Sequence, residues 1–383
     1  MKILFVCNNA YTRGNGLSTS VQNTMRQLRE KGVDARLMAI ANPDPEGPQP
    51  DFPLKHFKFP IFEPIIRANG FSYAKIDRKI IRKAVEWADV VHFEEALFLE
   101  NVVRKIALRQ RKTCTATFHL YPHNITANLG LPKRNLVNPL LIWDWKHIIY
   151  NHCTDIQCPS EEVRRYLERN GVTARLNVIS NGIRLEKELV PQIPVEPGPV
   201  VEILCTGRLA REKSQTTLLE AMRFSRYADR IRLHFAGDGP KAGKYRRMAA
   251  RLCRDGVLKH EPVFGFYTTE ELNALARRCY LYVHCAYVEV EGLSCLEAAR
   301  EGLVPVIGEG PLIGTSAFAL CPESLYPVLD SRALAARIDW WIEHPEERNR
   351  MSQRHAEAAR DYSIDKSIDQ LIVMYRHALE EKR

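Results

Sequence analysis

The sequence predicts an α/β protein made of two doubly wound domains, each a parallel sheet with helices on both faces. Three observations predict it. Short buried apolar runs alternate with amphipathic helical stretches along nearly the whole chain. A proline-rich break near residue 190 divides that alternation into two series. The length, 383 residues, accommodates two or three domains at roughly 150 residues each. With 45% apolar and 26% charged residues the composition is that of an ordinary globular chain, which excludes a collagen, a disordered tail protein or a coiled-coil rod. No run of 18 apolar residues occurs, so a membrane-spanning helix is not expected.

The elements follow in order. Residues 2–7 read as a buried strand; the run stops at Asn8 and Asn9, too short for a secretory h-region, so a cytoplasmic chain is expected. A loop (8–17) leads to a helix over 18–30, with Val21, Met25 and Leu28 on one face, and residues 35–39 form a second strand. The proline-rich stretch 41–53 reads as loop. Helices over 74–87 and 97–109 alternate with strands at 89–93 and 113–118, and strands at 154–158 and 177–179 flank a helix opened by Ser160-Glu161-Glu162. After the break, strands at 201–206, 232–236, 261–264, 280–285 and 304–307 alternate with helices at 215–224, 241–254, 270–277 and 293–300. The expected layout is a first domain 1–185, a linker 186–199, a second domain 200–365 and a C-terminal helix 366–383 that packs back on the first domain. Two such domains place a ligand cleft between the carboxyl edges of their strands.

Four loops, each where a strand feeds a helix, carry the chemistry. Gly14-Asn15-Gly16 opens the first helix, where glycines let a backbone approach a diphosphate and the helix start offers amide donors. As a dinucleotide fingerprint it is broken: the third glycine is missing and no acidic residue ends the second strand, which disfavours a dehydrogenase. In Thr206-Gly207-Arg208-Leu209-Ala210-Arg211-Glu212-Lys213, two cations five apart across a glycine turn can converge on one phosphate group, an arginine as a fork and a lysine as a point charge, without a metal. Ala236-Gly237-Asp238-Gly239-Pro240 is a sharp turn that reads as structural. In the fourth loop, Glu289 follows a buried strand, Gly292-Leu293-Ser294 starts a helix with free amides, and Glu297 lies a turn further on. Carboxylates suit vicinal diols, so this pair fits the ribose and hexose of a nucleotide-sugar. Helix capping by acidic residues is the plain alternative.

These loops in this order resemble the retaining glycosyltransferases of family 4, which have the GT-B fold of two Rossmann-like domains facing each other across a cleft. The resemblance extends over nearly the whole chain through Asp89-Val90-Val91-His92, Thr117-Phe118-His119, Pro159-Ser160, Ser180-Asn181-Gly182, Gly207-Arg208 with Lys213, Gly237-Asp238-Gly239 and the pair Glu289 and Glu297. It implies that Arg208 and Lys213 hold the donor diphosphate, that Glu297 binds the ribose, and that Glu289, helped by the amides of Gly292, Leu293 and Ser294, contacts the donor sugar. It implies further that His119 lies near the reacting centre and that Gly16 lets a loop close over the diphosphate. Such enzymes retain anomeric configuration, the leaving phosphate itself taking the acceptor proton, with no protein nucleophile, no metal and no cofactor. Three positions depart from the family pattern: Glu291, Ala286 and Tyr280, where an aromatic, a serine and an acidic residue are usual.

The ten cysteines show no CxxC pair, and His152-Cys153 with Cys158 lacks ligand spacing, so neither a disulfide framework nor a zinc site is expected. His119 and His123 have HxxxH spacing, but Pro122 between them breaks a zinc-peptidase helix. The net charge is +9, and residues 54–83 hold eight basic and two acidic residues interleaved with Phe57, Phe59, Phe62, Phe71 and Tyr73. Residues 133–147 repeat the pattern more weakly. Cations among aromatics suit an anionic membrane surface, which points to a lipid or lipid-linked acceptor. A polysaccharide or small-molecule acceptor, with these aromatics in the core, is the alternative. A two-lobed binding protein without activity is the non-enzyme reading. No nucleic-acid-binding module is recognisable.

Overall fold

The computed structural model describes residues 1–12, 16–59, 63, 72–131, 135–185 and 195–381. They divide into two compact units, Met1–Asn181 with Ile364–Arg383, and Gly182–Ser363. The crossing points differ from the expected bounds. Ile183 bridges to Ser363 and is buried in a cluster of the second unit, so Gly182 to Leu185 go with that unit.

In the first unit, strands β1 (Lys2–Val6), β2 (Asp34–Ile40), β3 (Phe52–Leu54), β6 (Val90–Phe93), β7 (Thr113–Thr117), β8 (Asp155–Cys158) and β9 (Arg175–Val178) form one parallel sheet. Its order is β3-β2-β1-β6-β7-β8-β9. Succession runs one way from β1 to β3 and the other way from β6 to β9, so the winding reverses between β1 and β6. The pleat of β1 is buried on both faces, as a central parallel strand requires. Two short strands, β4 (His56–Phe57) and β5 (Tyr73–Ala74), pair antiparallel beside it.

The helix expected from residue 74 starts later, spanning Arg78–Trp87. Asp77 caps it, its carboxylate accepting from the Lys79 and Ile80 amides at 2.9 and 3.2 Å. Tyr73 and Ala74 are claimed by the hairpin instead. The stretch read as a loop over 41–53 ends in the edge strand β3, where Pro53 is tolerated because one side of the strand has no neighbour.

The C-terminal helix, Ile364–Glu380, belongs to the first unit. It buries Ile368, Leu371, Ile372, Met374 and Tyr375 against Val21, Met25 and Leu28 of the Gly16–Glu30 helix. Lys31 and Asp369 close its edge at 2.5 Å.

The second unit repeats the plan. Strands β10 (Val201–Thr206), β11 (Ile231–Ala236), β12 (Val263–Gly265), β13 (Leu281–His284), β14 (Val304–Glu309) and β15 (Leu325–Pro327) run parallel in the order β12-β11-β10-β13-β14-β15. Here the winding reverses between β10 and β13. The sixth strand and the helices Ser331–Glu343 and Pro345–Ala358 extend the alternation beyond residue 307. Trp341, Ile338 and Leu334 of the first of these helices complete the core beneath β10, β11 and β13.

Candidate functional site

Where winding reverses, the loops leaving two adjacent strands turn to opposite faces and leave a crevice at the carboxyl edge. In the second unit those are the loops after β10 and β13. The first holds Arg208 and Lys213, the second Glu289.

The loop after β10 is shaped by close backbone approaches. Gly207 has φ +126° and Gly237 has φ +150°, and a Cβ on Gly237 would stand 2.2 Å from the Gly207 carbonyl oxygen. Leu209 donates its amide to the Asp238 carbonyl at 2.9 Å and accepts from the Lys241 amide at 2.8 Å. The Gly237-Asp238-Gly239 turn therefore presses the Arg208 turn into place, and only glycine fits there. Tyr287 donates its amide to the Glu212 carbonyl at 3.0 Å and so ties this loop to the one after β13.

Both cations are held by carboxylates. The Arg208 guanidinium donates to Glu212 Oε1 at 2.6 Å, and Glu212 is buried. The Lys213 ammonium donates to Glu289 Oε2. Lys213 and Arg208 are about a quarter exposed, so both reach solvent. Burial pushes the Glu289 carboxyl up in pKa, but the Lys213 ammonium and His284 outweigh it and hold it at about 2. Glu289 is thus a fixed carboxylate at neutral pH.

Glu289 is also pinned by its backbone, donating its amide to the Leu312 carbonyl and accepting from the Gly314 amide, each at 2.8 Å. Gly292, φ +88°, caps the Leu293–Arg300 helix, and a Cβ there would stand 2.3 Å from Thr315 Oγ1. Leu293 packs on the apolar cluster of this unit. The Ser294 hydroxyl is 3.0 Å from the Tyr282 hydroxyl, and Glu297 is exposed on the same helix. Among the described residues, this brings Lys213 and Glu289 into direct contact and Arg208 into the same loop.

His119 and Gly16 belong to the first unit. Gly14 and Asn15 lie outside the described residues; Gly16 is the first residue of its helix. His119 follows β7, and its Nε2 is 2.6 Å from Glu94 Oε2, both side chains being largely buried. Glu94 follows β6, beside the winding reversal. Burial pushes its carboxyl up, and the hydrogen bond and charge of His119 more than reverse this, so its pKa is lowered. Next to it Asn8 donates from Nδ2 to Glu95 at 3.0 Å and to Glu100 at 3.1 Å. Burial, then the Glu95 charge, raises the Glu100 carboxyl well above its ordinary range. Neither Glu94, Glu95, Glu100 nor Asn8 was singled out from the sequence. The signal was there: two glutamates directly after a buried strand at a carboxyl edge.

Of the basic aromatic stretch, residues 60–62 and 64–71 lie outside the described residues, as do 132–134. Phe59 packs edge-on against Phe57 and Tyr73, with ring centroids 4.9 and 5.4 Å apart. The Arg78–Trp87 helix buries Ile81, Ala84 and Val85 and exposes Arg78, Lys79, Arg82 and Lys83. The Val137–Ile148 helix buries Ile142 and Trp145 but exposes Leu140 and Trp143, continuing from an almost fully exposed Leu136. No helix of the described residues is long and apolar enough to cross a membrane.

Two groups of potential metal ligands stand elsewhere: Glu202 with His234 and Cys279, and Asp155 with His377 and Glu381. Glu202 is already met by Arg232 at 3.1 Å and Arg278 at 3.6 Å, and Glu381 by Arg175 at 3.1 Å. A cation would have to enter against those guanidinium charges. Glu202, His234 and Asp155 lie on β10, β11 and β8, not on the loops after β10 and β13.

In a doubly wound α/β unit the crevice at the switch point, here lined by two cations and a carboxylate of the second unit, is where ligands bind. The model of Glycosyltransferase Family 4 matches residues 14–187, and that of Glycosyl transferases group 1 matches residues 186–358. The chain belongs to this glycosyltransferase family and has the GT-B fold. Among solved structures it is similar to HepE of Anabaena with UDP and glucose, at 15% identity over 98% of this chain and all of the other, TM-score 0.74. It is also similar to sucrose-phosphate synthase of Thermosynechococcus elongatus, at 17% identity over 99% of each chain, TM-score 0.74. The catalytic domain of a cholesterol-alpha-glucosyltransferase from Helicobacter pylori is 39% identical over 42% of this chain and 99% of its own, with a TM-score of 0.38. No curated protein matches the chain.

Proposed function

We propose that this glycosyltransferase moves a hexose from a UDP-linked donor with retention of anomeric configuration and without a metal. The observation that carries the reading is the Lys213–Glu289 pair at the switch point of the second unit. A cation able to neutralise a diphosphate stands against a carboxylate, ionised at neutral pH, that is able to accept from sugar hydroxyls. Arg208 and Lys213 take the diphosphate, the Gly292, Leu293 and Ser294 amides assist, Glu297 accepts from the ribose, and Glu289 accepts from the hexose. His119, held by Glu94, serves the acceptor side, and Gly16 gives a backbone that can approach a ligand.

In the step itself the bond from the anomeric carbon to the β-phosphate oxygen breaks and the acceptor oxygen bonds to that carbon on the same face. The acceptor proton passes to the departing phosphate oxygen, so charge builds on the diphosphate and nowhere on the protein. Two cations there stabilise the transition state more than the ground state. Structural relatives solved with UDP and a sugar support a UDP donor: HepE with UDP-glucose, and a pneumococcal O-GlcNAc transferase with UDP and GlcNAc. The exposed cations of the Arg78–Trp87 helix and the exposed Leu140 and Trp143 support an acceptor in or on an anionic membrane, reached through residues 54–83 and 133–147.

A thermal-shift series with UDP, UDP-glucose, UDP-N-acetylglucosamine and UDP-galactose tests the donor. At least one UDP-sugar is expected to raise Tm, and Lys213→Ala and Glu297→Ala to abolish the rise while remaining folded. A full rise in either variant contradicts the assignment.

A further inference from the structure

Behind Glu289 a line of polar side chains runs into the second unit. His284, the last residue of β13, is 3% exposed. Its Nε2 lies 3.2 Å from Glu289 Oε2. Its Nδ1 lies 3.3 Å from the Tyr282 hydroxyl, which is 3.0 Å from Thr206 Oγ1 and 3.0 Å from Ser294 Oγ. Thr206 is the residue from which the Arg208 loop departs, and Ser294 stands in the first turn of the helix capped by Gly292. One buried chain therefore joins the three segments that carry the cations, the carboxylate and the amides.

Polar groups so deep are costly unless each finds a partner, and leucine-like packing would serve stability as well. The line has one loose end. The buried His284 Nε2 makes no well-directed hydrogen bond; the carboxylate beside it is drawn to Lys213 instead. With Nδ1 accepting from the Tyr282 hydroxyl, the ring proton sits on Nε2 and faces Glu289. On the reading of Lys213 given above, its ammonium turns to the donor diphosphate. Among the side chains in contact with Glu289 as described, His284 is then the donor left to orient it.

We infer that His284 is a positioning residue for Glu289. It holds the carboxylate in the orientation that receives the hexose hydroxyls once Lys213 is engaged by phosphate, and Tyr282 fixes its tautomer. The inference deepens the proposed function and rests on the role given there to Glu289. It separates sugar recognition from nucleotide recognition, because His284 touches the carboxylate and neither cation.

The test is the binding of UDP and of the UDP-sugar that gives the largest thermal shift, measured by calorimetry on the full chain. His284→Leu is expected to weaken the UDP-sugar about tenfold, the loss of one good hydrogen bond, and to leave UDP within about threefold. His284→Gln, which keeps a donor, recovers most of the loss, and Tyr282→Phe shows a smaller loss of the same kind. In a Glu289→Gln background His284→Leu adds nothing further. Equal weakening of UDP and UDP-sugar, losses that multiply in the double variant, or an unchanged UDP-sugar affinity in His284→Leu overturns the inference. Should His284→Leu not fold, the Gln and Phe variants carry the same comparison. If Glu289→Gln alone leaves UDP-sugar binding intact, the role of Glu289 fails and the inference with it. If Glu289→Gln weakens binding and His284→Leu does not, only the inference fails.

Discussion

Glu289 illustrates how much a single residue depends on its neighbours. A buried carboxyl would ordinarily be neutral; beside Lys213 and His284 its pKa stands at about 2 against an ordinary 4.5. A depressed carboxyl contributes stability that is present above its unfolded pKa and lost as pH falls toward the folded one. The difference in Tm between the natural chain and Glu289→Gln should therefore be constant from pH 7 to about 5 and shrink as pH falls toward about 2. A difference that grows on acidification contradicts the assignment. The residues visible in the sequence were those whose chemistry is announced by type and spacing, Arg208, Lys213, Glu289 and Glu297. Glu94, His284 and Tyr282 were not, because a His or Tyr inside an apolar strand looks like core until the fold shows what it faces.

At the scale of elements, alternation placed nearly every strand, since a parallel strand buried on both faces is a compact apolar run. What escaped were short edge elements whose pattern is carried by partners: β3 with its Pro53, the β4–β5 hairpin and β15. The glycine turn at 237–239 was visible but its purpose was not. Its two glycines are demanded by the backbone at Gly207 and Leu209, one strand earlier in sequence. Gly237→Ala forces a Cβ into a carbonyl at 2.2 Å with φ +150°, strain of order 1–3 kcal/mol or more. We expect it to lower Tm and to weaken UDP binding together, by moving the Arg208 turn. An unaltered UDP affinity would mean that this turn does not position Arg208. Asp77→Ala, by contrast, should cost about 1 kcal/mol through the lost helix cap and leave donor binding unchanged, as circular dichroism and calorimetry would show.

The whole molecule is two repeats of one plan, with a last helix returned to the first. Removing residues 364–383 uncovers Val21, Met25 and Leu28 and deletes Ile368, Leu371 and Tyr375 from their core. Buried side chains of this size are worth roughly 1.5–3 kcal/mol each, so the truncated chain should fail to fold cooperatively. A truncated chain with the Tm of the full chain would refute that role. Acid should act on both units at once. Burial pulls His92 in the first and His355 in the second down to about 4, both being kept neutral by the fold. Stability held by a lowered histidine is lost as pH falls from 6.5 toward 4, so calorimetry should show Tm declining in that window before the carboxylates titrate. Surface charge makes a further demand on the molecule. Flotation with anionic vesicles should recover the chain, neutral vesicles should not, and failure of both removes the membrane from the account.

The proposed reaction depends most on a hexose leaving a nucleotide diphosphate whose charge Arg208 and Lys213 absorb. The direct measurement is to supply the UDP-sugar that stabilises the chain together with a panel of lipid and soluble acceptors, and to read the anomeric proton of the product by NMR. The account predicts a product with the anomeric configuration of the donor, formed in the presence of excess chelator and lost in Lys213→Ala. An inverted product, or turnover by Lys213→Ala equal to that of the natural chain, would contradict it.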